Sequence, residues 1–335
     1  MERRKVQLTG GSTYTVSIPK GWANENQIEA GTEVSFYPEG DSLLLIPRSD
    51  EAPIEGRLDI SSLYGRELTR AVVTMYVSGY DIIRLEADKI AADQRRSIRD
   101  ATKGLVGLEV VEETGSDVVL QDLLDSAQLS VHNAVTRMRL IAVTMLADAV
   151  VSVIANDDDL AADVIERDDD VDRLWFMVSR VFRSTLRNPS TTGEIDMARE
   201  LCFDYHSSAR QLERIADHAV KIAKHSLELD PIPSAVADAI EALHTDAAAI
   251  VEEAMDALLE TDSEGATRLA NQAREDVHSI DEHTRIVDDR IRQLDDAHQA
   301  QLLGLIVDSL SRSADYGGNI AETALQKAAP RPSTD

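Results

Sequence analysis

Apolar residues repeat at helical spacing through the last two hundred residues of this chain, and this pattern constrains the fold most. From Gln121 onward, apolar side chains recur at three- and four-residue intervals, as on the buried face of an α-helix. Turn-forming residues interrupt the pattern at 156–159, 188–193, 230–233, 260–265 and 294–296. The pattern therefore predicts six long helices, most of about thirty residues, whose short connections favour antiparallel neighbours.

Two of these predicted helices carry one motif. The sequence LERIADHAVKIA at 212–223 aligns without a gap with LSRSADYGGNIA at 310–321, and six positions coincide. We therefore predict that the helical region, 121–328, is an all-α pair of three-helix bundles. The first repeat would span 121–229 and the second 232–328.

Two smaller regions precede the helices. Residues 1–50 alternate strand and turn segments around one short helix, in the order β-β-α-β-β. Such a small all-β domain buries little surface alone, so it is expected to need a second copy. After a polar linker, residues 57–120 alternate strands and helices, which predicts a small α/β module of uncertain role, for ligand sensing or dimerisation.

The chain is strongly acidic, but its charge is segregated. Its 34 basic and 61 acidic residues give a net charge of −27, which opposes binding to nucleic acids and anionic membranes. In contrast, the first 22 residues contain four basic residues and one acidic residue: Arg3, Arg4, Lys5 and Lys20 are the candidate DNA-binding residues. The alternatives are a terminus that is basic by chance and, for the chain as a whole, the acidic surface typical of proteins from a high-salt cytoplasm.

Several classes of protein are excluded by features that the sequence lacks. No apolar run approaches the roughly 18–20 residues of a membrane span, and the first residues have no apolar segment behind their charges. Cys202 is the single cysteine, so no disulfide framework or cysteine-based zinc site is expected. There is no phosphate-binding glycine loop and no nucleophile–base motif. We therefore expect a cytoplasmic protein that is not inserted in a membrane and is not an enzyme.

Glu213 and Asp217 are the strongest candidates for a metal site. They lie four residues apart on one predicted helix, so their carboxylates share a face and repel each other. A divalent or trivalent cation would relieve the repulsion, and carboxylates favour magnesium, manganese or iron; zinc is the fourth candidate. The alternative is an exposed acidic edge paired with Arg210 and Arg214.

Two further acidic residues are predicted to face inward. Asp148 falls on the apolar stripe of its helix, and Asp315 stands beside Gly317 and Gly318, which allow a close approach of helices. Burying an unpaired carboxylate costs several kcal/mol, so each of these residues needs a partner.

Other polar groups are weaker candidates. His218 would be a reasonable metal ligand, but its counterpart in the repeat is Tyr316. The runs 157–159 and 168–170 are acidic but lack the spacing of a calcium loop, so we expect solvated helix ends.

Three motifs in the first fifty residues point to a known family. They are KVQLTGGS at 5–12, VSIPKGW at 16–22 and AGTEV at 30–34. Together they resemble the AbrB/MazE/SpoVT family of swapped-hairpin DNA-binding domains. The resemblance implies an intertwined homodimer that presents basic residues to double-stranded DNA.

The repeated helical motif resembles the third-helix signature of PhoU, a phosphate-signalling regulator built from two three-helix repeats. The resemblance covers residues 121–328. It implies that Glu213 and Asp217 bind metal in the first repeat and that Asp315 does so in the second.

The second repeat departs from the family's pattern. Ser311 stands where the acidic residue of the motif is expected. Asp308, seven residues before Asp315 on the same face, is the predicted substitute, and Asp172 matches a second-helix acid loosely.

The combined resemblances imply a DNA-binding transcriptional regulator of phosphate uptake and metabolism. It would sense phosphate status through its metal-binding helical domain, with a phosphate transporter's ATPase or a sensor protein as a further partner. The alternative is a transporter-associated adaptor whose N-terminal domain mainly dimerises.

Overall fold

The computed structural model of the chain describes residues 3–39, 42–47, 53–124, 130–188 and 190–330. The chain forms two compact units, Met1–Pro53 and Ile54–Asp335. The second unit contains both the α/β module and the helical region.

The first unit consists of two antiparallel hairpins and one short helix. Gly10 and Gly11, with φ of 65° and 79°, form the turn of the first hairpin because glycine adopts positive φ at little cost. The observed order confirms the predicted β-β-α-β-β pattern: β1 is Gln7–Thr9, β2 is Thr13–Thr15, α1 is Lys20–Glu25, β3 is Val34–Glu39 and β4 is Ser42–Pro47.

None of the described residues of the first unit is buried. Its large apolar side chains remain in solvent, with Tyr14 76% exposed and Leu43 62% exposed. Removing apolar surface from water is the main force that stabilises a folded unit. A single copy of this unit therefore lacks a hydrophobic core. The exposed apolar residues are Val6, Leu8, Tyr14, Val16, Ile18, Phe36, Leu43 and Leu44.

The α/β module is a four-stranded sheet with two helices packed on it. The strand order is β5-β6-β8-β7, with β5 parallel to β6 and the other pairs antiparallel. Apolar side chains of the helices and the sheet form one core, which includes Leu68, Tyr76 and Leu85. The elements are β5 Glu55–Asp59, α2 Gly65–Val77, β6 Ile82–Glu86, α3 Ala92–Lys103, β7 Leu108–Glu113 and β8 Asp117–Asp122.

The helical region forms two three-helix groups, as the sequence repeat predicts. The first group contains α4, the pair α5 and α6, and α8; the second contains α9, α10 and α11. Packing of α8 against α11 and of α4 against α9 joins them. The bounds are α4 Val131–Ala155, α5 Asp158–Glu166, α6 Asp168–Arg187, α7 Ser190–Glu194, α8 Arg199–Ser226, α9 Ser234–Leu259, α10 Ser263–Ile291 and α11 Ala297–Ala328.

Capping side chains explain where four of these helices begin. The side chains of Ser130, Asp157, Asp262 and Asp296 accept hydrogen bonds from backbone N–H groups in the first turns of α4, α5, α10 and α11. These bonds satisfy donors that a helix start leaves unpaired. Asn156 ends α4 in the left-handed conformation, at φ 54°.

The structure differs from the predicted helices in two places. The helical region begins at Val131 rather than at Gln121, because residues 117–122 pair with β6 and β7 as strand β8. The second predicted helix is divided at Arg167 into α5 and α6. Three aspartates then occupy the first turn of α6, where the helix dipole favours negative charge.

Helix α4 is long and apolar enough to span a membrane by length and composition, with a mean hydropathy of 1.9. Polar residues interrupt its apolar runs, so its sequence contains no unbroken apolar stretch as long as a membrane span. In the structure α4 packs against α5, α6, α8 and α9. It buries Val135, Met138, Met145 and Leu146 completely, so it serves as a core helix of the first repeat.

Arg180 connects the α/β module to the helical region. It lies on α6 with its side chain 7% exposed. Its guanidinium donates to the backbone oxygens of Tyr76 and Tyr80 at 2.8 and 2.9 Å, and it pairs with Asp81 and Asp122 at 2.9 Å each. Because these partners lie at the ends of α2, β6 and β8, one buried cation fixes the module against α6.

Gly317 permits the close approach of α11 and α9 that the sequence predicts. A Cβ atom at this position would lie 2.9 Å from Ile250 Cγ2 and 3.1 Å from the backbone nitrogen of Val251. Gly304 lies on the same helix, and a Cβ atom there would meet no atom within 4 Å.

These two glycines should respond oppositely to replacement by alanine. Gly317→Ala should lower the free energy of unfolding by about 1–3 kcal/mol, because the added methyl group overpacks the contact. Gly304→Ala should raise it by up to about 1 kcal/mol, because alanine favours helix where space is available. Denaturant unfolding of the two variants measures both changes, and equal effects would contradict the proposed packing.

Candidate metal centre and nucleic-acid interface

Four carboxylates meet along the contact between α6 and α8. Asp168 and Asp172 are four residues apart on α6, and Glu213 and Asp217 have the same spacing on α8. Each helix therefore presents an acidic pair on one face. Asp168 is electrostatically coupled to Asp217, and Asp172 to Glu213, as expected for neighbouring helices that run in opposite directions. We call this set the carboxylate quartet.

Burial and repulsion from neighbouring carboxylates disfavour the ionised forms of Asp168, Asp172 and Glu213. Burial, followed by the charges of neighbouring carboxylates, raises the pKa of Asp172 to about 7 and that of Asp168 to about 6. Burial also raises the pKa of Glu213, although Arg210 opposes this effect. Three of the four carboxylates thus place negative charge where water stabilises it poorly, whereas Asp217 is exposed.

Glu213 has one oxygen paired and one oxygen without a partner. Arg210 Nη1 donates to Glu213 Oε1 at 2.8 Å, whereas Oε2 is buried and has no hydrogen-bond partner. Within the described ranges, no three acidic, histidine or cysteine side chains converge closely enough to hold a metal in their present rotamers. The donors are nonetheless suitable in chemistry, because an all-oxygen set suits magnesium, manganese or iron. A cation there would compete with Arg210 for Glu213.

Asp148 has an arginine as its partner and does not join the quartet. Arg167 Nη2 donates to Asp148 Oδ2 at 2.6 Å and also lies 2.9 Å from Asp163 Oδ2. Asp148 faces inward and therefore needs a partner. That partner is the guanidinium of Arg167. Since Arg167 stands at the junction of α5 and α6, this ion pair also positions Asp168, the next residue.

The second repeat does not reproduce the quartet. Asp308 and Asp315 are 64% and 52% exposed and flank Arg312, at 3.9 and 3.6 Å. Ser311 lies instead within 2.9 Å of the Thr284 hydroxyl on α10. Asp281 follows Asp256 by 25 residues, much as Asp172 follows Asp148 by 24, but it is exposed on α10.

In the second repeat, neutral or apolar residues of α10 thus stand where α6 has acidic residues, and α11 has one neutral residue where α8 has an acid. Thr284 contacts Ser311 as Asp172 adjoins Glu213, and the position four residues earlier holds Ile280, which is buried. Only Asp315 retains a carboxylate at a position equivalent to the quartet. The described part of the second repeat therefore lacks the charge concentration of the first.

His218 faces α11 rather than α6. Its ring lies 5.6 Å from the ring of Tyr316. Burial, followed by the charge of Lys221, lowers its pKa to about 4. His218 thus belongs to the contact between the two repeats, as the comparison with Tyr316 suggests.

Sequence reasoning missed Asp168, which it assigned to a solvated helix end. The structure makes it half-buried, because Arg167 divides the helix and turns the first residue of α6 toward α8. The available signal was the spacing: Asp168 and Asp172 are four apart, as are Glu213 and Asp217.

The candidate DNA-binding residues are all exposed in the first unit. Arg3, Arg4 and Lys5 precede β1, and Lys20 is the first residue of α1. Pro19, with φ −58° and ψ 125°, precedes that helix as its N-cap. Because these four side chains are exposed, contact between them and DNA phosphate groups would not disturb buried packing.

Comparison with known families agrees with both halves of the chain. Residues 7–53 match the family model described as "Antidote-toxin recognition MazE, bacterial antitoxin", and residues 135–226 match the model described as "PhoU domain". The chain carries a MazE/AbrB-type domain followed by a PhoU domain. No curated protein matches the sequence significantly.

A solved PhoU structure shares the fold of the helical region. PhoU from Pseudomonas aeruginosa is 22% identical, with a TM-score of 0.50, and the match covers 58% of this chain and 93% of that one. The regulatory protein PhoU of the phosphate transport system from Streptococcus pneumoniae is 17% identical, with a TM-score of 0.49, over 58% and 91% of the two chains.

The PhoU family model matches the chain within the first repeat. Its range, 135–226, ends with α8 and includes the whole carboxylate quartet. The second repeat keeps three packed helices but has Ser311, Thr284 and Ile280 at positions equivalent to acidic residues. The second repeat thus shares the apolar pattern of the first repeat but not its acidic pattern.

The stability of the metal-free protein should fall as the pH rises from about 4 to about 7. The pKa of Asp172 is about 7 in the folded chain and that of Asp168 about 6, against an ordinary value of 3.8. The folded state thus binds more protons than the unfolded state in this window, so the free energy of unfolding decreases. Asp172→Asn should reduce the decline and stabilise the protein at pH 7 by on the order of 1 kcal/mol.

Denaturant unfolding at pH 5 and pH 7.5, with a chelator present, measures this effect. Asp170→Asn is the matched control, because Asp170 lies on the same turn of α6 but is exposed. Identical pH dependence in Asp172→Asn and wild type would contradict the assignment.

Proposed function

We propose that this protein is a cytoplasmic, non-enzymatic, DNA-binding regulator of the genes for phosphate uptake and metabolism. The observation that carries the proposal is the presence of a MazE/AbrB-type domain and a PhoU domain in one chain. A signal read by the PhoU domain would alter how two copies of the first unit engage DNA. Such a change requires a signal that binds the two states with different affinity.

The protein is proposed to act as a homodimer joined through its first unit. Support comes from the exposed apolar side chains of that unit, none of whose described residues is buried. Burying a side chain such as Leu8 or Val16 against a second copy would stabilise the unit by about 1.5–3 kcal/mol for each residue that becomes fully buried. Dimerisation would also bring eight basic side chains to one DNA-binding surface, four from each copy.

Replacing Arg3, Arg4 and Lys20 by alanine should weaken DNA binding and reduce its salt dependence. Removing one phosphate-binding side chain should lower the slope of log affinity against log salt concentration by about 0.9, because fewer counterions are released. Fluorescence anisotropy with duplex DNA across a salt series measures the slope, and sedimentation checks that the dimer persists.

The control for this experiment replaces three exposed basic residues outside the first unit, Arg268, Arg285 and Arg292. The control variant should keep the wild-type slope. If Arg3, Arg4 and Lys20 can be removed without changing the slope, the first unit serves mainly to dimerise. The adaptor function would then be favoured over DNA binding.

We further propose that the carboxylate quartet binds a divalent or trivalent cation as part of the signalling state. The support is the unpartnered Glu213 Oε2 and the raised pKa values of Asp168 and Asp172. The ion would be held by some of these carboxylates, and it would supply positive charge where they repel one another. Arg210 would then be free to leave Glu213.

Cation binding should stabilise the protein through the quartet. Since the unfolded chain cannot preform the site, a cation present at about 100 times its dissociation constant should add about 2.7 kcal/mol to the free energy of unfolding. Glu213→Gln with Asp217→Asn should abolish this response to manganese, magnesium, iron or zinc. Thermal unfolding after chelation and after adding each ion measures it.

The matched control is Asp308→Asn with Asp315→Asn, which removes two exposed carboxylates from the second repeat. This variant should respond to cations like wild type. If all three proteins respond equally, and elemental analysis finds no bound metal, the quartet does not bind a cation. The PhoU domain would then signal without it.

A further inference from the structure

An aromatic cluster lies on α6 and α8, next to the carboxylate quartet. Phe182 and His206 stack with their ring centroids 4.5 Å apart and their planes at 28°. Trp175 also packs against His206, with 4.9 Å between the ring centroids, and Phe203 lies 5.9 Å from Phe182. The four rings form one continuous row across the two helices.

The hydrophobic core accounts for only part of this concentration of rings, because Trp175 and Phe182 are half-buried against it whereas Phe203 is exposed. The chain contains only four phenylalanines and two tryptophans, and three of these six residues belong to the cluster. No phenylalanine or tryptophan in the described part of the chain is fully buried. Phe203 is 50% exposed, and Leu186, one turn beyond Phe182, is 56% exposed. Stability alone would favour burying such residues.

Arginines flank the rings in a chain that is otherwise strongly acidic. Residues 173–187 contain four arginines and no acidic residue, although one of them, Arg180, is buried and pairs with Asp81 and Asp122. Arg210 stacks over Trp175, with its central carbon 5.3 Å from the ring centroid. Arg183 and Arg210 both act on His206, whose pKa burial and these two charges lower to about 4. The imidazole is therefore a neutral, stacking ring at physiological pH.

We propose that this surface docks an acidic segment of a partner protein, one that carries aromatic or apolar side chains between carboxylates. The surface, called the aromatic surface below, consists of Trp175, Phe182, Arg183, Phe203, His206 and Arg210. Tryptophan, the other aromatic residues and arginine are enriched at the energetic centres of protein interfaces. The arginines supply the charge complementarity and the rings supply the apolar contact.

Other occupants fit these observations less well. A symmetric contact with a second copy would place the same arginines opposite one another. Duplex DNA takes its affinity from several phosphate contacts, and an anionic membrane would be repelled by the rest of this acidic chain. An acidic segment of a protein requires only the guanidinium groups of Arg183 and Arg210, the second of which also pairs with Glu213, and the exposed side chains of Phe203 and Leu186.

The surface can be tested on the full chain with a defined probe, the random copolymer of glutamate and tyrosine. Trp22→Phe leaves Trp175 as the only tryptophan, so its emission, excited at 295 nm, reports occupation of the surface. The copolymer should change this emission in a saturable way, and polyglutamate of equal length should bind at least tenfold more weakly. Phe203→Ser and Arg183→Glu should each weaken copolymer binding at least tenfold.

Two matched variants control for the removal of any exposed apolar side chain or arginine. Leu140→Ser removes an exposed leucine of α4, and Arg285→Glu reverses an exposed charge of α10, so both should bind the copolymer like the parent. All four variants should keep the parent's unfolding midpoint, because the replaced side chains are exposed.

The proposal would be overturned by copolymer binding that is unchanged in Phe203→Ser and Arg183→Glu, or by polyglutamate binding as tightly as the copolymer. Displacement of the copolymer by duplex DNA or by phosphatidylserine vesicles in the Trp175 assay would also overturn it. So would self-association of the chain that Phe203→Ser abolishes, since a second copy would then be the occupant.

Discussion

The packing of α8 on several sides is the constraint on which the second unit depends. This helix contacts α4, α5 and α6 within its own repeat and α11 of the other repeat. Small side chains such as Ala209, Ala216 and Ala223 are fully buried and let the neighbours approach. The α8 residues that remain exposed, which include Arg214, Asp217 and Lys221, lie on the strip of its surface that these neighbours leave uncovered. The quartet and the aromatic surface are both found at the seam with α6.

Arg210 links these two features. It donates to Glu213 in the quartet and stacks over Trp175 in the aromatic surface. A guanidinium has five N–H donors in one plane, so it can pair with a carboxylate along its edge and stack through its face. Any change that removes Glu213 from Arg210 therefore alters the charge available beside Trp175, and the two seam features are physically coupled.

The two units obtain their stability in different ways. The second unit contains its own core, in which residues such as Leu212 and Leu310 have no exposed surface. The first unit has no buried residue among those described, although its apolar residues are spaced as in strands. The described residues of this unit leave apolar area uncovered, which the hydrophobic effect disfavours. The two repeats also differ. Helix packing requires apolar side chains in both repeats, but it does not require a buried carboxylate in either.

The sequence alone determined the order of elements, the two-repeat architecture and the candidate pair Glu213 and Asp217, because apolar spacing and helix-start residues act over a few positions along the chain. Only the tertiary structure decided which acids meet across helices. It placed Asp168 in the quartet, gave Asp148 to Arg167 and set Thr284, not Asp281, against Ser311. These outcomes depend on the register between packed helices and on the break at Arg167, which the periodicity of a single helix does not encode.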